Sequence, residues 1–337
     1  MKILVENSGW GNVGEAWYRI SLYELLKKLY PNDDVYCGEG PIYRSFRVKN
    51  NWEKNNGLNL FDYQSADVYI YSGPILPQQL LSIYANRIKQ IILQQKSYAL
   101  ISVSGTALSQ REISEIGDFL QKYPPLFFSS RDEETYNAFK PYVKNAYNGV
   151  CTAFLVDKTI DIHPFKLDKE FFISSFYTEL EPIYSIPTGK SFNIENLLLE
   201  RHKTMFGLPY DFARHLNFLR KQQKEIDGHL IVRTVQNLNT KYNHVNFAMP
   251  NSFISFNPIS YLNVTKSAEF VVSDRVHACA IALACGRPAR FLFNTPRAGI
   301  FDRMGFNYKK NNGIMYPNMN RIDEEKYLLE QEIKKYI

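Results

Sequence analysis

Phe270-Val-Val-Ser-Asp-Arg-Val-His-Ala-Cys-Ala-Ile-Ala-Leu-Ala-Cys-Gly-Arg-Pro-Ala289 decides how this chain is read. Its apolar start is a buried strand, Ser273 and Asp274 make a tight turn, and the apolar run from Ala278 to Cys285 is a buried helix stopped at Gly286. Arg275 and His277 fall in the first turn of that helix. A helix N-terminus presents unpaired N–H groups and partial positive charge. A guanidinium and an imidazole at the mouth of an otherwise apolar segment therefore make a candidate anion site.

Working outward, the same alternation of strand and helix fills most of the chain. Strands are expected at residues 2–6, 67–71, 98–103 and 126–129, with helices at 15–30, 78–93, 109–123 and 133–139 between and after them. A less regular middle, about 157–207, carries Pro164, Pro182, Pro187 and Gly189. A second series then follows, with a helix at 211–226, strands at 229–235, 252–256, 269–272 and 289–293, helices at 258–267 and 275–285, and a charged amphipathic helix at 322–336. The βαβα rhythm predicts an α/β protein with two Rossmann-like domains facing a cleft, a GT-B-like architecture with a C-terminal helix. The expected division is 1–160 for the first domain and 161–337 for the second, terminal helix included. A length of 337 residues agrees with two cores.

Composition excludes several classes. Apolar residues make up 45% and charged residues 22%, as in ordinary globular proteins. A net charge of +6 favours anionic substrates, but no Lys/Arg run argues for nucleic acid. No apolar stretch is long enough to span a membrane, and the first residues read as a β-strand with no signal peptide. Cys37, Cys151, Cys279 and Cys285 have no metal or redox spacing and read as reduced thiols of a cytoplasmic protein. No His/carboxylate motif has metal-ligand spacing, so neither metal nor cofactor is expected.

Two further stretches carry chemistry. Asn7-Ser-Gly-Trp-Gly-Asn-Val-Gly-Glu15 follows the first strand with glycines at 9, 11 and 14, the G-x-G-x-x-G spacing. It reads equally as a tight turn or as a dinucleotide loop, for which Asp33 or Asp34 would be the acidic partner. Gly11 and Gly14 let backbone approach a ligand, and Asn7 and Asn12 offer hydrogen bonds to a sugar hydroxyl. Phe127-Phe-Ser-Ser-Arg-Asp-Glu-Glu-Thr135 runs from strand to helix, with Ser129 or Ser130 as a cap and Arg131 at the strand's end, free for an anion or ion-paired to a nearby carboxylate. Arg297, in Asn294-Thr-Pro-Arg, lies beyond a later strand. His229, Arg233 and His244 are weaker candidates, Arg233 because it could face the cleft.

Together, Ser273-Asp-Arg-Val-His-Ala, the Asn- and Gly-rich opening loop and Arg131-Asp-Glu133 resemble the polysaccharide pyruvyl transferase family. The resemblance implies a GT-B-like fold and transfer of a pyruvyl group from phosphoenolpyruvate to a sugar as a cyclic ketal. It assigns Arg275 and His277 to the donor, with Arg131 and Arg297 binding substrate; Glu15, in the first-domain loop, is a candidate base on chemical grounds. The acceptor would be a glycan, free or lipid-linked, the latter placing the protein at the inner membrane face. The chain departs from the family pattern at Gly14-Glu15, where Gly-Asp is usual, and in the short loops Ser72-Gly73-Pro74 and Ser102-Val-Ser-Gly-Thr106. A GT-B glycosyltransferase using a sugar nucleotide, or a sugar-binding relative without catalysis, are the alternatives.

Overall fold

The computed structural model describes residues 1–7, 11–40, 53, 56–77, 79–178, 181–200, 223–235, 237 and 245–337. The chain forms two compact units. Unit 1 is Met1–Asp161 with Asn294–Phe306 and Asn318–Ile337, and unit 2 is Ile162–Phe293 with Asn307–Pro317. The terminal helix, expected with the second domain, therefore belongs to the first.

Unit 1 is built on six parallel strands. In chain order they are β1 (Lys2–Asn7), β2 (Asp34–Glu39), β3 (Val68–Gly73), β4 (Ser97–Val103), β5 (Phe127–Ser130) and β6 (Ala146–Tyr147), arranged β2-β1-β3-β4-β5-β6. Helices α1 (Val13–Leu29), α2 (Ala85–Leu93), α3 (Gln110–Lys122) and α4 (Glu133–Phe139) connect them. β1, β3 and β4 read as unbroken apolar runs because helices cover both faces of a parallel sheet. α1 buries Ile20, Leu22, Leu25 and Leu26, and with them Trp17, Tyr18 and Arg19. Each large apolar side chain so buried contributes about 1.5–3 kcal/mol. The other face of the sheet packs a cluster rich in rings, with Phe61, Tyr69, Tyr71, Tyr98 and Phe128.

Expected boundaries hold with local changes. The segment predicted as helix 78–93 opens with a wide π turn, Leu80–Tyr84, before α2. α3 starts with a reciprocal cap between Ser109 and Glu112. α4 is capped by Asp132, whose carboxylate accepts from the Thr135 N–H at 2.8 Å. Ser129 and Ser130, expected as caps, instead lie inside β5.

Strand order reverses at β1, with β2 on one side and β3 on the other. In open α/β sheets that switch, at the C-terminal strand ends, is where ligands are accommodated. β3 ends at Gly73 with φ +87°, and a Cβ there would stand 2.1 Å from the Tyr18 hydroxyl oxygen. Only glycine permits that approach.

In unit 2, β7 (Phe171–Ser175), β11 (His229–Thr234), β13 (Val271–Ser273) and β14 (Ala289–Phe291) run parallel in the order β11-β7-β13-β14. Antiparallel β10 (Glu225–Ile226) and β15 (Ile314–Met315) close the two edges, and β12 (Ser252–Phe253) pairs with β11. β8 (Ile183–Ser185) and β9 (Leu198–Glu200) form a separate hairpin. α5 (Pro258–Ser267) precedes β13, and α6 (Val276–Ala284) links it to β14. The stretch 252–256 is a strand only in its first two residues. β7 was hidden in the irregular middle, although Phe-Phe-Ile-Ser-Ser is a short buried-strand run. Of the predicted helix 211–226, residues 211–222 lie outside the described residues, and 225–226 form β10. α6 ends as expected. Gly286 has φ +74°, and the N–H groups of Gly286 and Arg287 return to Leu283 and Ala282 at 3.1 and 2.8 Å.

Candidate functional site

The C-terminal strand ends of unit 1 enclose a cavity of about 330 Å³. Glu15 reaches it from the start of α1, Pro74 and Pro77 from the loop after β3, Ser104 and Thr106 from the loop after β4, and Arg131 from the end of β5. Arg19 and Arg297 complete its charged lining. Three guanidiniums against one carboxylate give the wall a net positive charge, which suits an anionic ligand.

Arg131 is the least accommodated of these groups. The residue is 3% exposed, and its Nε and Nη1 have no hydrogen-bond partner. Neither Asp132 nor Glu133 neutralises it. The Asp132 carboxylate is committed through one oxygen to capping α4, and its Oδ2 is itself unpartnered. The guanidinium lies 5.8 Å from the Tyr18 ring centre. Burial raises the Cys151 thiol, while the neighbouring Arg131 opposes that rise. A buried guanidinium with unused N–H groups is costly unless something binds it.

Glu15 is held from two sides. Asn12 Nδ2 donates to its Oε1 at 3.2 Å, and Arg19 Nη1 stands 3.6 Å from its Oε2. Arg19 also faces Glu6 at 3.8 Å. Burial drives the Tyr18 hydroxyl far above the ordinary phenol range, so it stays protonated between these charges. Arg19 went unnoticed in the sequence, although its place four residues after Glu15 puts both on one helix face.

The opening loop plays a different part from the one expected. Asn12 is the N-cap of α1, its side chain accepting from the Gly14 N–H at 3.1 Å. Asn7 closes β1 and is buried. Asn7, Gly11, Asn12 and Gly14 are not on the cavity wall. Gly9 lies outside the described residues. Asp33, a candidate acidic partner, immediately precedes β2 at the N-terminal ends of the strands and pairs with the terminal ammonium of Met1 at 2.5 Å.

In unit 2, Arg275 occupies the N-cap position of α6, and no side-chain cap hydrogen bond closes that helix end. Arg275 and His277 are half-buried. Asp274, the natural capping type, turns away and accepts from the backbone N–H groups of Tyr177, at 3.0 Å, and Thr178. That bond brings the Tyr177 ring under the Arg275 guanidinium, 4.1 Å from the ring centre. Ser273 Oγ accepts from the Arg275 N–H at 2.8 Å and donates to the Ser175 carbonyl at 2.6 Å, fixing the turn. Arg233 serves structure. It is buried, paired with Glu181 at 2.8 Å, and donates to the Pro250 and Gln223 carbonyls. His244 lies outside the described residues. No helix among the described residues is long and apolar enough to cross a membrane.

Two solved structures resemble the whole chain. One is UDP-GlcNAc 2-epimerase from Neisseria meningitidis bound to UDP-GlcNAc, at 11% identity and a TM-score of 0.51, covering 99% of this chain and 100% of the other. The second is another UDP-N-acetylglucosamine 2-epimerase, also at 11% identity and TM-score 0.51, covering 98% and 94%. At such identity the likeness is one of fold, and it shows a GT-B-like α/β architecture. No curated protein matches the sequence. The family model for polysaccharide pyruvyl transferase matches residues 12–294, from the cap of α1 to the strand after α6. That span holds Glu15, Arg19, Arg131, Arg275 and His277, and the chain belongs to the polysaccharide pyruvyl transferase family, a family of transferases.

Proposed function

We propose that this protein transfers the pyruvyl group of phosphoenolpyruvate to two hydroxyls of one glycan residue, giving a cyclic ketal and inorganic phosphate. The observation that carries the reading is the buried Arg131 guanidinium, with Nε and Nη1 unpartnered on the wall of an arginine-lined cavity. Phosphoenolpyruvate has two anionic groups, and planar guanidiniums bind such groups through paired N–H donors.

In this scheme the arginines of the unit 1 cavity, Arg131 and Arg297, hold anionic oxygens of the donor. Protonation of the methylene carbon, C3, leaves an oxocarbenium-like centre at C2, and the family resemblance gives the donor-side roles to Arg275 and His277. A sugar hydroxyl adds to C2, and Glu15 accepts its proton. The second hydroxyl then displaces phosphate. In balance, the C2–C3 π bond, the C2–O bond to phosphate and two O–H bonds break. One C3–H and two C2–O bonds form, and the second hydroxyl proton leaves with phosphate. Fixed guanidiniums in a shielded site stabilise the charge that develops on the departing phosphate. Asn12 acts through Glu15, whose carboxylate it orients.

The test is phosphate release from phosphoenolpyruvate across a panel of acceptor glycans, free and lipid-linked, with calorimetric binding of the donor alone. Phosphoenolpyruvate should bind and UDP or GDP should not. Binding of a nucleoside diphosphate in place of phosphoenolpyruvate would return the glycosyltransferase alternative.

A further inference from the structure

The geometry points to a divalent-cation site of the zinc class in unit 2, with Glu170, His229 and Glu269 as its ligands. The three come from sequence positions with no metal-binding spacing, and the sheet brings them together. Glu170 immediately precedes β7, His229 is the first residue of β11, and Glu269 lies two residues before β13. Those strands are neighbours in the order β11-β7-β13, so three adjacent parallel strands begin at one place.

The distances fit a metal polyhedron. His229 Nε2 stands 3.5 Å from Glu170 Oε2 and 3.6 Å from Glu269 Oε2. One ligand atom from each of the three lies within 4.8 Å of the others. With zinc–nitrogen and zinc–oxygen bonds of about 2.0–2.2 Å, the edge of a tetrahedron is about 3.3–3.6 Å. Two of the three edges are therefore close to their bound length, and rotation of the exposed Glu170 side chain closes the third.

The histidine is also prepared as a ligand. Its Nδ1 lies 2.8 Å from the Asp227 carbonyl oxygen. A carbonyl only accepts, so Nδ1 carries the proton, and in the neutral ring Nε2 presents its lone pair to the two carboxylates. A backbone carbonyl behind a ligating imidazole is a common way to fix its tautomer. The carbonyl is held in place by the turn between β10 and β11, where Asp227 and Gly228 both have positive φ, 47° and 81°. Phe192 stacks on the imidazole at 3.8 Å and 10°, fixing the ring plane. A separate observation points the same way. Glu269 Oε2 is shielded from solvent and has no hydrogen-bond partner. One nitrogen and two carboxylate oxygens form a donor set suited to zinc, with a fourth position open to water.

The site lies at the N-terminal ends of the strands, whereas Arg275 and His277 follow the C-terminal end of β13. Its role is therefore to tie three strand starts together, and the readout is stability. Full-length protein stripped with chelator at pH 7.5 should take up one Zn²⁺ per chain after dialysis, measured by elemental analysis, and its Tm should rise. Glu170→Gln, a change at an exposed residue, should weaken the Zn²⁺ affinity at least about tenfold, and His229→Ala should abolish uptake. Mg²⁺ should not replace Zn²⁺ in the thermal shift. No retained zinc with unchanged Tm, or zinc uptake undiminished in both variants, would overturn the site and leave His229 as an imidazolium bridging two carboxylates.

Discussion

Arg303 and Glu325 form a two-point ion pair, Nη1 to Oε1 at 2.7 Å and Nη2 to Oε2 at 2.9 Å. Glu325 is 1% exposed and also meets Arg321, four residues earlier on the terminal helix Met319–Tyr336. Arg303 donates in addition to the Asn148 carbonyl, at 3.1 Å from Nε and 2.7 Å from Nη2. One carboxylate thus fastens the terminal helix to the short helix Gly299–Arg303 and to the loop after β6. This bond is one of several contacts, with buried Ile322, Leu329 and Ile333 and the Phe127–Tyr336 stack, that hold the chain's last residues in unit 1.

Replacing Glu325 with Ala should cost about 3–5 kcal/mol, because it strands a mostly buried guanidinium without its counter-charge. Urea unfolding measures the loss, and faster proteolysis of the terminal helix should accompany it. A change below about 1 kcal/mol would show that the pair does not hold the helix.

Arg131→Met should separate stability from function. Methionine keeps an unbranched apolar stem, shorter than arginine's, while the unpartnered charge is removed, so unfolding free energy should stay within about 1 kcal/mol of the parent or rise. Phosphate release from phosphoenolpyruvate should fall by roughly 10²–10³, the usual effect of losing one donor to developing negative charge. A large loss of stability with intact turnover would make Arg131 a structural residue.

His277→Ala should abolish turnover while circular dichroism and Tm remain those of the parent, since the ring is half-buried at a helix end. If the imidazole delivers a proton, kcat falls with KM little changed. If it only grips phosphate, KM rises and kcat is kept. Retained phosphate release at the parental rate would remove His277 from the chemistry.

The cysteines give a pH prediction. Burial pushes the Cys37 thiol up to about 12 and raises Cys151 and Cys279 as well. Folded values above the unfolded thiol range of about 8.5 mean that the stabilising contribution is complete below that pH. It is then lost as pH climbs towards the folded values, because the unfolded chain releases thiol protons first. Unfolding free energy should decline from pH 8.5 upward. Native protein at pH 8 should also show negligible reaction with a thiol reagent until denaturant is added. Rapid labelling of Cys151 or Cys279 in the native state would contradict their burial.

Much of the fold is legible in the residues because its signals are local. Parallel strands covered on both faces read as apolar runs, and Gly286 after an apolar helix reads as a stop. β7 escaped notice because five residues among prolines and aromatics give no periodicity to count. The site is legible in part. Glu15, Arg131 and Arg297 could be singled out as charged groups beyond strand ends, and the structure places all three on one cavity. Asn12 carried the same kind of signal, yet its side chain is used to cap α1.

What the sequence by itself determined is the α/β class, the family and the residue types able to hold an anion, since each rests on short-range pattern and local chemistry. Only the tertiary structure decided that Arg131 is buried without a neutralising partner, that the terminal helix belongs to unit 1, and that Glu170, His229 and Glu269 meet. Each of these depends on which strands lie side by side, and that order is set by packing across segments far apart in the chain.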